Sequence, residues 1–253
     1  MAKPVLVLVH GAWHSPAHFK PLKGYLEGVG YNCVPVKLPS VIQNEGDDVP
    51  TSLELDIHEV RSTVLKVLDS GNNAVVLAHS YGGLPTMSAL EGLDQKSRVN
   101  AGYTNCVEAI ACIAAFVLPV GTSLIDTSGG FPAPTHDVRG DLLFVNEPGP
   151  VYWFYADLPE KETQKWVALL RPHSWKVNLD KAKFAAYEAI PTSYLICTKD
   201  AAFPPEAQRE ICKTASKGGL KVRVEEIDSS HSPFLSMVEK TGDFVRRSAG
   251  ENI

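Results

Sequence analysis

The chain is organised around nine residues, Val75-Val76-Leu77-Ala78-His79-Ser80-Tyr81-Gly82-Gly83. An apolar run stops abruptly at Ser80, small residues stand on both sides of that serine, and a stretch of helical character, 84–93, follows at once. This order predicts a strand, a very tight turn and a helix, with the serine at the apex. Small flanking residues are needed because such a turn brings two backbones close together. The serine is then forced into strained φ and ψ, which presents its hydroxyl to a ligand.

The pattern is similar to the G-x-S-x-G turn that carries a nucleophilic serine, with Ala78 in the place of the first glycine. An ordinary strand–helix turn, in which Gly82 and Gly83 only permit close packing, would also fit these residues. A nucleophilic role for Ser80 therefore requires a base, an acid and an oxyanion hole elsewhere in the chain.

Composition limits the class of protein. The 253 residues are 44% hydrophobic and 21% charged, which is enough for one large α/β domain with its core. The net charge of −5, with scattered basic residues, argues against a nucleic-acid partner. No apolar run approaches the roughly 20 residues of a membrane span. Five cysteines without a Cys-x-x-Cys pair indicate reduced thiols, and no signal-peptide pattern is present, so we expect a cytoplasmic protein.

Strands and helices alternate along most of the chain. Continuous apolar runs such as 5–9 are typical of strands buried on both faces, as in a parallel sheet. Further strands are predicted over 31–38, 75–79, 107–117, 192–198 and 221–227. Helices are predicted over 16–28, 53–70, 84–93, 157–170, 180–189, 204–217 and 233–248. Thr51 and Glu54 resemble a capping box at the start of the second of these helices.

Between 119 and 189 the alternation breaks down, and aromatic residues are dense. We therefore predict a mainly parallel central sheet with helices on both faces, built from residues 1–118 and 190–253, with 119–189 inserted as a cap. Aromatic side chains would be unusual on a free surface, but they are expected over a pocket.

A base and an acid occur in the required order. Asp200 follows the strand predicted over 192–198, and His231 follows the last predicted strand. Because ligands bind at the carboxyl ends of parallel strands, Ser80, Asp200 and His231 are expected at one edge of the sheet. Each alone has an ordinary alternative: Asp200 could cap the helix that follows, and His231 could be a solvated loop residue. Together they predict a nucleophile, an orienting acid and a general base.

An oxyanion hole needs two backbone N–H donors. Tyr81, directly after the nucleophile, would supply one, and Ala12, in the loop after the first strand, would supply the other. His10, His14 and His18 recur every four residues, as metal ligands on one helix can. However, a strand ends at His10 and Pro16 interrupts any common helix, so no metal and no cofactor is predicted.

Four segments together resemble the α/β-hydrolases of the plant methylesterase and hydroxynitrile lyase type, a branch with bacterial carboxylesterase and fungal members. They are 7–14, the 78–83 turn, Cys197-Thr198-Lys199-Asp200 and His231-Ser232-Pro233-Phe234-Leu235-Ser236. The resemblance covers nearly the whole chain in order and spacing, and it is weakest across 119–189. It implies the α/β-hydrolase fold and the Ser–Asp–His arrangement.

The resemblance also separates two chemistries. Hydroxynitrile lyases of this type place a threonine after the His-Gly and a lysine beside the catalytic histidine. Here Ala12 and Ser232 occupy those positions, and neither supplies a positive charge for a leaving cyanide. Hydrolysis of a carboxylic ester or lactone through an acyl-enzyme is therefore the expected activity, with a small-molecule substrate and neither nucleic acid nor membrane as partner.

Aromatic residues indicate an apolar or aromatic substrate. The candidates for substrate binding are Trp13, Tyr81, Phe131, Trp153, Phe154, Trp175, Phe203 and Phe234. Two other functions stay open. One is a non-hydrolytic reaction of secondary metabolism on the same residues, such as a lyase, dehydratase, cyclase or retro-aldol step. The other is a non-catalytic small-molecule receptor.

Overall fold

The computed structural model describes residues 3–44, 46–218 and 220–253. Its main sheet has six parallel strands: β1 (Val5–Val9), β2 (Cys33–Val36), β3 (Ala74–His79), β4 (Val107–Ile113), β8 (Thr192–Cys197) and β9 (Arg223–Ile227). Their order across the sheet is β2-β1-β3-β4-β8-β9. The strands β1 and β3 are buried along their whole length, as their unbroken apolar sequences predict.

Helices cover the sheet. They are α1 (Lys20–Gly28), α2 (Glu54–Asp69), α3 (Gly83–Ala89), α4 (Gln95–Asn100), α7 (Pro205–Ala215), α8 (Pro233–Ser236) and α9 (Val238–Ser248). One group, α2 and α3, packs together against the sheet, and a second group is formed by α1, α8 and α9. This is the predicted α/β-hydrolase architecture. None of the described helices is long and apolar enough to cross a bilayer.

Residues 119–189 contain a second, antiparallel sheet of β5 (His136–Arg139), β6 (Leu142–Val145) and β7 (His173–Ser174). Two short helices follow β6, namely α5 (Pro150–Phe154) and α6 (Glu160–Val167). The segment joins the main body through loop contacts. For example, the Ser174 N–H donates to the Ser40 carbonyl at 2.8 Å.

Two predictions about local structure are wrong. The predicted helix over 180–189 is absent, and only a short 3-10 turn at Ala186–Glu188 forms there. Thr51 and Glu54 do not form a capping box, since α2 begins at Glu54 after Leu53. Asp180 takes over the capping role: its carboxylate accepts the Leu53 N–H at 2.7 Å and the Ser52 hydroxyl at 3.0 Å. A long-range carboxylate has replaced the local cap.

The last predicted helix is also interrupted. It is divided at Met237, whose φ of −131° and ψ of 54° are not helical, into α8 and α9. The strand predicted over 107–117 ends at Ile113, and Ala114 follows with a positive φ of 42°. These breaks turn the chain at the edge of the sheet where the predicted site residues lie.

Candidate active site

The turn after β3 has the strained geometry that the sequence predicts. Ser80 has a φ of +53°, in the left-handed region that residues other than glycine rarely adopt. Glycine is required just after it, because a Cβ at Gly82 would lie 2.5 Å from the His10 carbonyl oxygen. A Cβ at Gly83 would lie 2.7 Å from the Phe116 carbonyl oxygen. The prediction of a tight strand–turn–helix with a strained serine is therefore confirmed.

The structure brings Asp200 and His231 into direct contact. The Nδ1 atom of His231 lies 2.6 Å from Oδ2 of Asp200, and both side chains are buried. The other carboxylate oxygen of Asp200 accepts the N–H groups of Ala202 at 2.9 Å and Phe203 at 2.8 Å. Gln208 donates to Oδ2 at 3.0 Å. Since the carboxylate accepts from Nδ1, the second ring nitrogen of His231 is left as an acceptor for another proton.

Ser80 and His231 line the same small cavity, of about 50 Å³. No hydrogen bond joins their side chains in the described part of the chain. The remaining lining residues come from the main body and from 119–189: Ala12, Trp13, Tyr81, Phe116, Leu124, Thr127, Ala133, Thr135, His136, Phe154, Asn178, Ala202 and Phe203. A separate cavity of about 390 Å³, beside Asn73 and Arg98, lies at the amino ends of the strands and contains none of the predicted site residues.

The loop after β1 approaches Ser80 closely. A Cβ at Gly11 would lie 2.9 Å from the Ser80 Cβ, so only glycine allows this approach. Trp13 has a φ of +60°, a second strained position beside the cavity. Within the described residues, the N–H groups of Ala12 and Tyr81 donate to no loop or side-chain acceptor. Ala12 and Tyr81 line the same cavity as Ser80, and an oxyanion hole there would require two backbone donors.

Tyr81 lines the cavity, and its buried hydroxyl group makes a hydrogen bond. Its hydroxyl donates to Oδ2 of Asp56 at 2.6 Å. The same carboxylate accepts the Ser40 N–H at 2.9 Å and the Ser40 hydroxyl at 2.5 Å. Asp56 is fully buried, and burial raises the pKa of its carboxyl group. The network ties α2 to the turn that carries Ser80, and the sequence analysis did not identify it.

Half of the aromatic residues predicted for substrate binding line the cavity. They are Trp13, Tyr81, Phe154 and Phe203. The other four, Phe131, Trp153, Trp175 and Phe234, do not line it. Phe131 is 73% exposed, whereas Phe234 is buried against Phe19, with ring centroids 4.9 Å apart. The indole N–H of Trp153 donates to the Asn146 carbonyl.

Several lining residues were missed. Phe116 lies just beyond the end of β4 at Ile113, but the predicted strand ran to 117, so its position gave no signal. His136 begins β5, and no motif or spacing marks it. Burial lowers the pKa of His136 to about 4, so the imidazole in this cavity is neutral at physiological pH.

His10, His14 and His18 are buried, and burial lowers the pKa of each imidazole. The Nδ1 atoms of His10 and His14 contact the Gly11 and Ala12 carbonyls at 2.9 and 2.8 Å. His18 Nε2 contacts the Trp166 carbonyl at 3.2 Å. Burial lowers the pKa of His10 and of His18 to about 4. Among the residues the structure describes, no group of three His, Cys, Asp or Glu side chains could hold a metal ion.

The chain is similar in sequence to a known protein family and to several of its members. Residues 6–244 match the model of the alpha/beta hydrolase family. "Probable hydrolase R7" of Phoma sp. is 30% identical, over 99% of this chain and 100% of that protein. "Methylesterase 1" of Arabidopsis thaliana is 26% identical, over 98% of this chain and 96% of that protein.

Solved structures agree on the fold. A pyrethroid hydrolase from Sphingobium faniae superimposes with a TM-score of 0.74 and 19% identity, covering 98% of this chain and 97% of that one. Polyneuridine aldehyde esterase gives a TM-score of 0.74 and 21% identity, covering 97% and 99%. The methylesterases and esterases among these relatives agree with the branch that the sequence resembles. The chain belongs to the alpha/beta hydrolase family.

Proposed function

We propose that the protein is a serine hydrolase that cleaves a small carboxylic ester or lactone through an acyl-enzyme. One observation carries the proposal: a serine with a φ of +53° shares a cavity with a histidine whose Nδ1 lies 2.6 Å from a buried carboxylate. A serine hydroxyl becomes an effective nucleophile only beside such a base. In this assignment Ser80 is the nucleophile, His231 the base and Asp200 the acid that orients it.

The reaction begins when Nε2 of His231 accepts the Ser80 proton and Oγ attacks the substrate carbonyl carbon. The N–H groups of Ala12 and Tyr81 stabilise the oxyanion. Collapse of this intermediate breaks the ester bond, and the imidazolium gives its proton to the leaving alcohol. A water molecule, deprotonated by His231, then attacks the acyl-enzyme and releases the acid. Asp200 keeps the proton on Nδ1 and stabilises the imidazolium.

The segment 119–189 acts as a cap in this proposal. It contributes Leu124, Thr127, Thr135, His136, Phe154 and other residues to the cavity beside Ser80. The lining is mostly apolar and aromatic, which suits an uncharged substrate. The names of the relatives, a methylesterase and a pyrethroid hydrolase, agree with ester cleavage.

Hydrolysis is favoured over cyanide elimination for a specific reason. No lysine or arginine is among the described residues that line the cavity, so no cation is present to stabilise a leaving cyanide. Ser232 stands beside His231, and its hydroxyl is buried without a hydrogen-bond partner in the described residues.

A panel of esters and lactones tests the proposal, with wild type compared with Ser80→Ala. We expect turnover by wild type only, an intact-mass increase equal to the acyl group, and incorporation of one ¹⁸O from labelled water into the acid. Turnover without incorporation would indicate a non-hydrolytic reaction. Tight binding without turnover would indicate a receptor. Full activity of the Ser80→Ala variant would exclude the assigned nucleophile.

A further inference from the structure

A second cavity adjoins the one beside Ser80. Its volume is about 620 Å³, against about 50 Å³ for the first. The two cavities share five lining residues: Phe116, Thr127, Ala133, Ala202 and Phe203. We call the larger cavity the apolar groove. It is continuous with the candidate active site, and no role has been assigned to it above.

Two stacked aromatic rings line both cavities. The Phe116 and Phe203 ring centroids lie 4.3 Å apart, with 22° between the ring planes. The backbone of each of these residues is hydrogen-bonded to a residue of the proposed triad. The Phe116 N–H donates to the Ser80 carbonyl at 3.0 Å, and the Phe203 N–H donates to Oδ1 of Asp200 at 2.8 Å. The backbone positions of this pair are therefore fixed relative to the reacting groups.

The walls of the groove are suited to an uncharged ligand. One wall follows β4 and contains Val117, Leu118 and Pro119; the opposite wall is the face of α7 that carries Ala207 and Ile211. Glu210 is the one charged residue among the described lining residues, so no cation would attract an anionic ligand. The volume lies within the range of about 300–1,000 Å³ that is usual for pockets that bind drug-sized molecules. Apolar cavities of this kind on a folded domain mark ligand-binding sites.

We infer that the apolar groove binds a rigid, uncharged ring system of the substrate, while the cavity beside Ser80 accepts only a short group on the other side of the ester. The inference rests on the proposed hydrolase function. The substrate class is an ester with one half of a few heavy atoms and the other half a fused, apolar ring body. The carbonyl lies at Ser80, and the ring body extends past the Phe116–Phe203 pair.

The test compares one small ester with two bulky esters, each of which joins a short group to a fused ring body. Methyl butanoate is the small substrate. Methyl dehydroabietate, a tricyclic methyl ester, and dehydroabietyl acetate, its counterpart with the ester reversed, are the bulky ones. Ala207→Trp places an indole in the groove, on the exposed side of α7. We expect the ratio of kcat/KM for the preferred bulky ester to that for methyl butanoate to fall at least tenfold.

The matched control is Lys213→Trp, which adds the same indole to the same helix at a side chain that is 70% exposed and outside the groove. It should leave both kcat/KM values unchanged. Thr214→Trp, also in the groove, replaces Ala207→Trp if that variant does not fold. A bulky-to-small ratio unchanged in a folded groove variant overturns the inference, and hydrolysis by Ser80 would still stand.

A binding measurement separates the groove from the chemistry. In a Ser80→Ala background, the Kd of each bulky ester is measured by titration calorimetry with and without Ala207→Trp. At least tenfold weaker binding in the double variant supports the groove, even if wild type hydrolyses neither ester and the proposed function fails. Equal Kd values, or no binding of either bulky ester, contradict the groove.

Discussion

Acidification is expected to unfold this protein well before its carboxylates are protonated. Five histidine side chains are at most 1% exposed: His10, His14, His18, His79 and His173. Burial lowers the pKa of all five, and also that of His136, to about 4 for His10, His18 and His136 and to about 3 for His173. In the unfolded chain each titrates near 6.5. The unfolded state therefore binds protons first, and stability present above pH 6.5 is lost as the pH falls towards 4.

The size of the effect follows from these pKa values. For each buried neutral histidine, acidification from pH 7 to pH 6 lowers the free energy of unfolding by about 0.7 kcal/mol. Acidification from pH 7 to pH 5 lowers it by about 1.8 kcal/mol. The six histidines together remove about 4 and about 11 kcal/mol, whereas a whole domain has about 5–15 kcal/mol. Asp56 acts with the opposite sign, because burial raises its pKa, but it is one group against six. Unfolding is expected between about pH 5 and pH 6.

Urea unfolding followed by circular dichroism at pH 7.5, 6.5, 6.0 and 5.5 measures this slope. His18→Gln removes one of the six titrating groups and should reduce the slope by about one sixth. His58 is exposed, so His58→Gln is the matched control and should leave the slope unchanged. A free energy of unfolding that changes by less than about 1 kcal/mol between pH 7.5 and pH 6.0 would refute the reasoning.

Three further predictions follow from single contacts. Tyr81→Phe removes a donor from the buried Asp56 carboxylate, so the free energy of unfolding should fall by about 1.5–3 kcal/mol in urea titrations; an unchanged value would mean that this bond contributes nothing. Gly82→Ala places a Cβ 2.5 Å from the His10 carbonyl oxygen, so the melting temperature should fall sharply, and a change below about 2 °C would contradict the close approach. Asp200→Asn should lower kcat of ester hydrolysis about 10⁴-fold with little change in KM, and a loss below tenfold would remove Asp200 from the proposed triad.

The fold was predictable because its signals are local. The apolar runs of β1 and β3 are continuous. Small residues around Ser80 indicate a tight turn, because only they allow the backbones to approach so closely. Positions that depend on distant partners were not predictable. Asp180 caps α2 from far along the chain, in place of the capping box predicted at Thr51 and Glu54.

The environment of the site was only partly predictable, for the same reason. Asp56 lies four residues before Val60 on the buried face of α2, so a charged residue at an apolar position was a usable signal. Which aromatic residues face the cavity depends on how 119–189 packs. Phe131 is exposed while Phe154 lines the cavity, and composition alone could not separate them.

The most direct test of the proposed nucleophile is reaction with a fluorophosphonate, followed by peptide mass spectrometry. The account predicts one label, on the peptide that contains Ser80, and none after Ser80→Ala. Ser88→Ala, in the helix that follows the turn, is the matched control and should be labelled like wild type. A label on another residue, or equal labelling of the Ser80→Ala variant, would contradict the account.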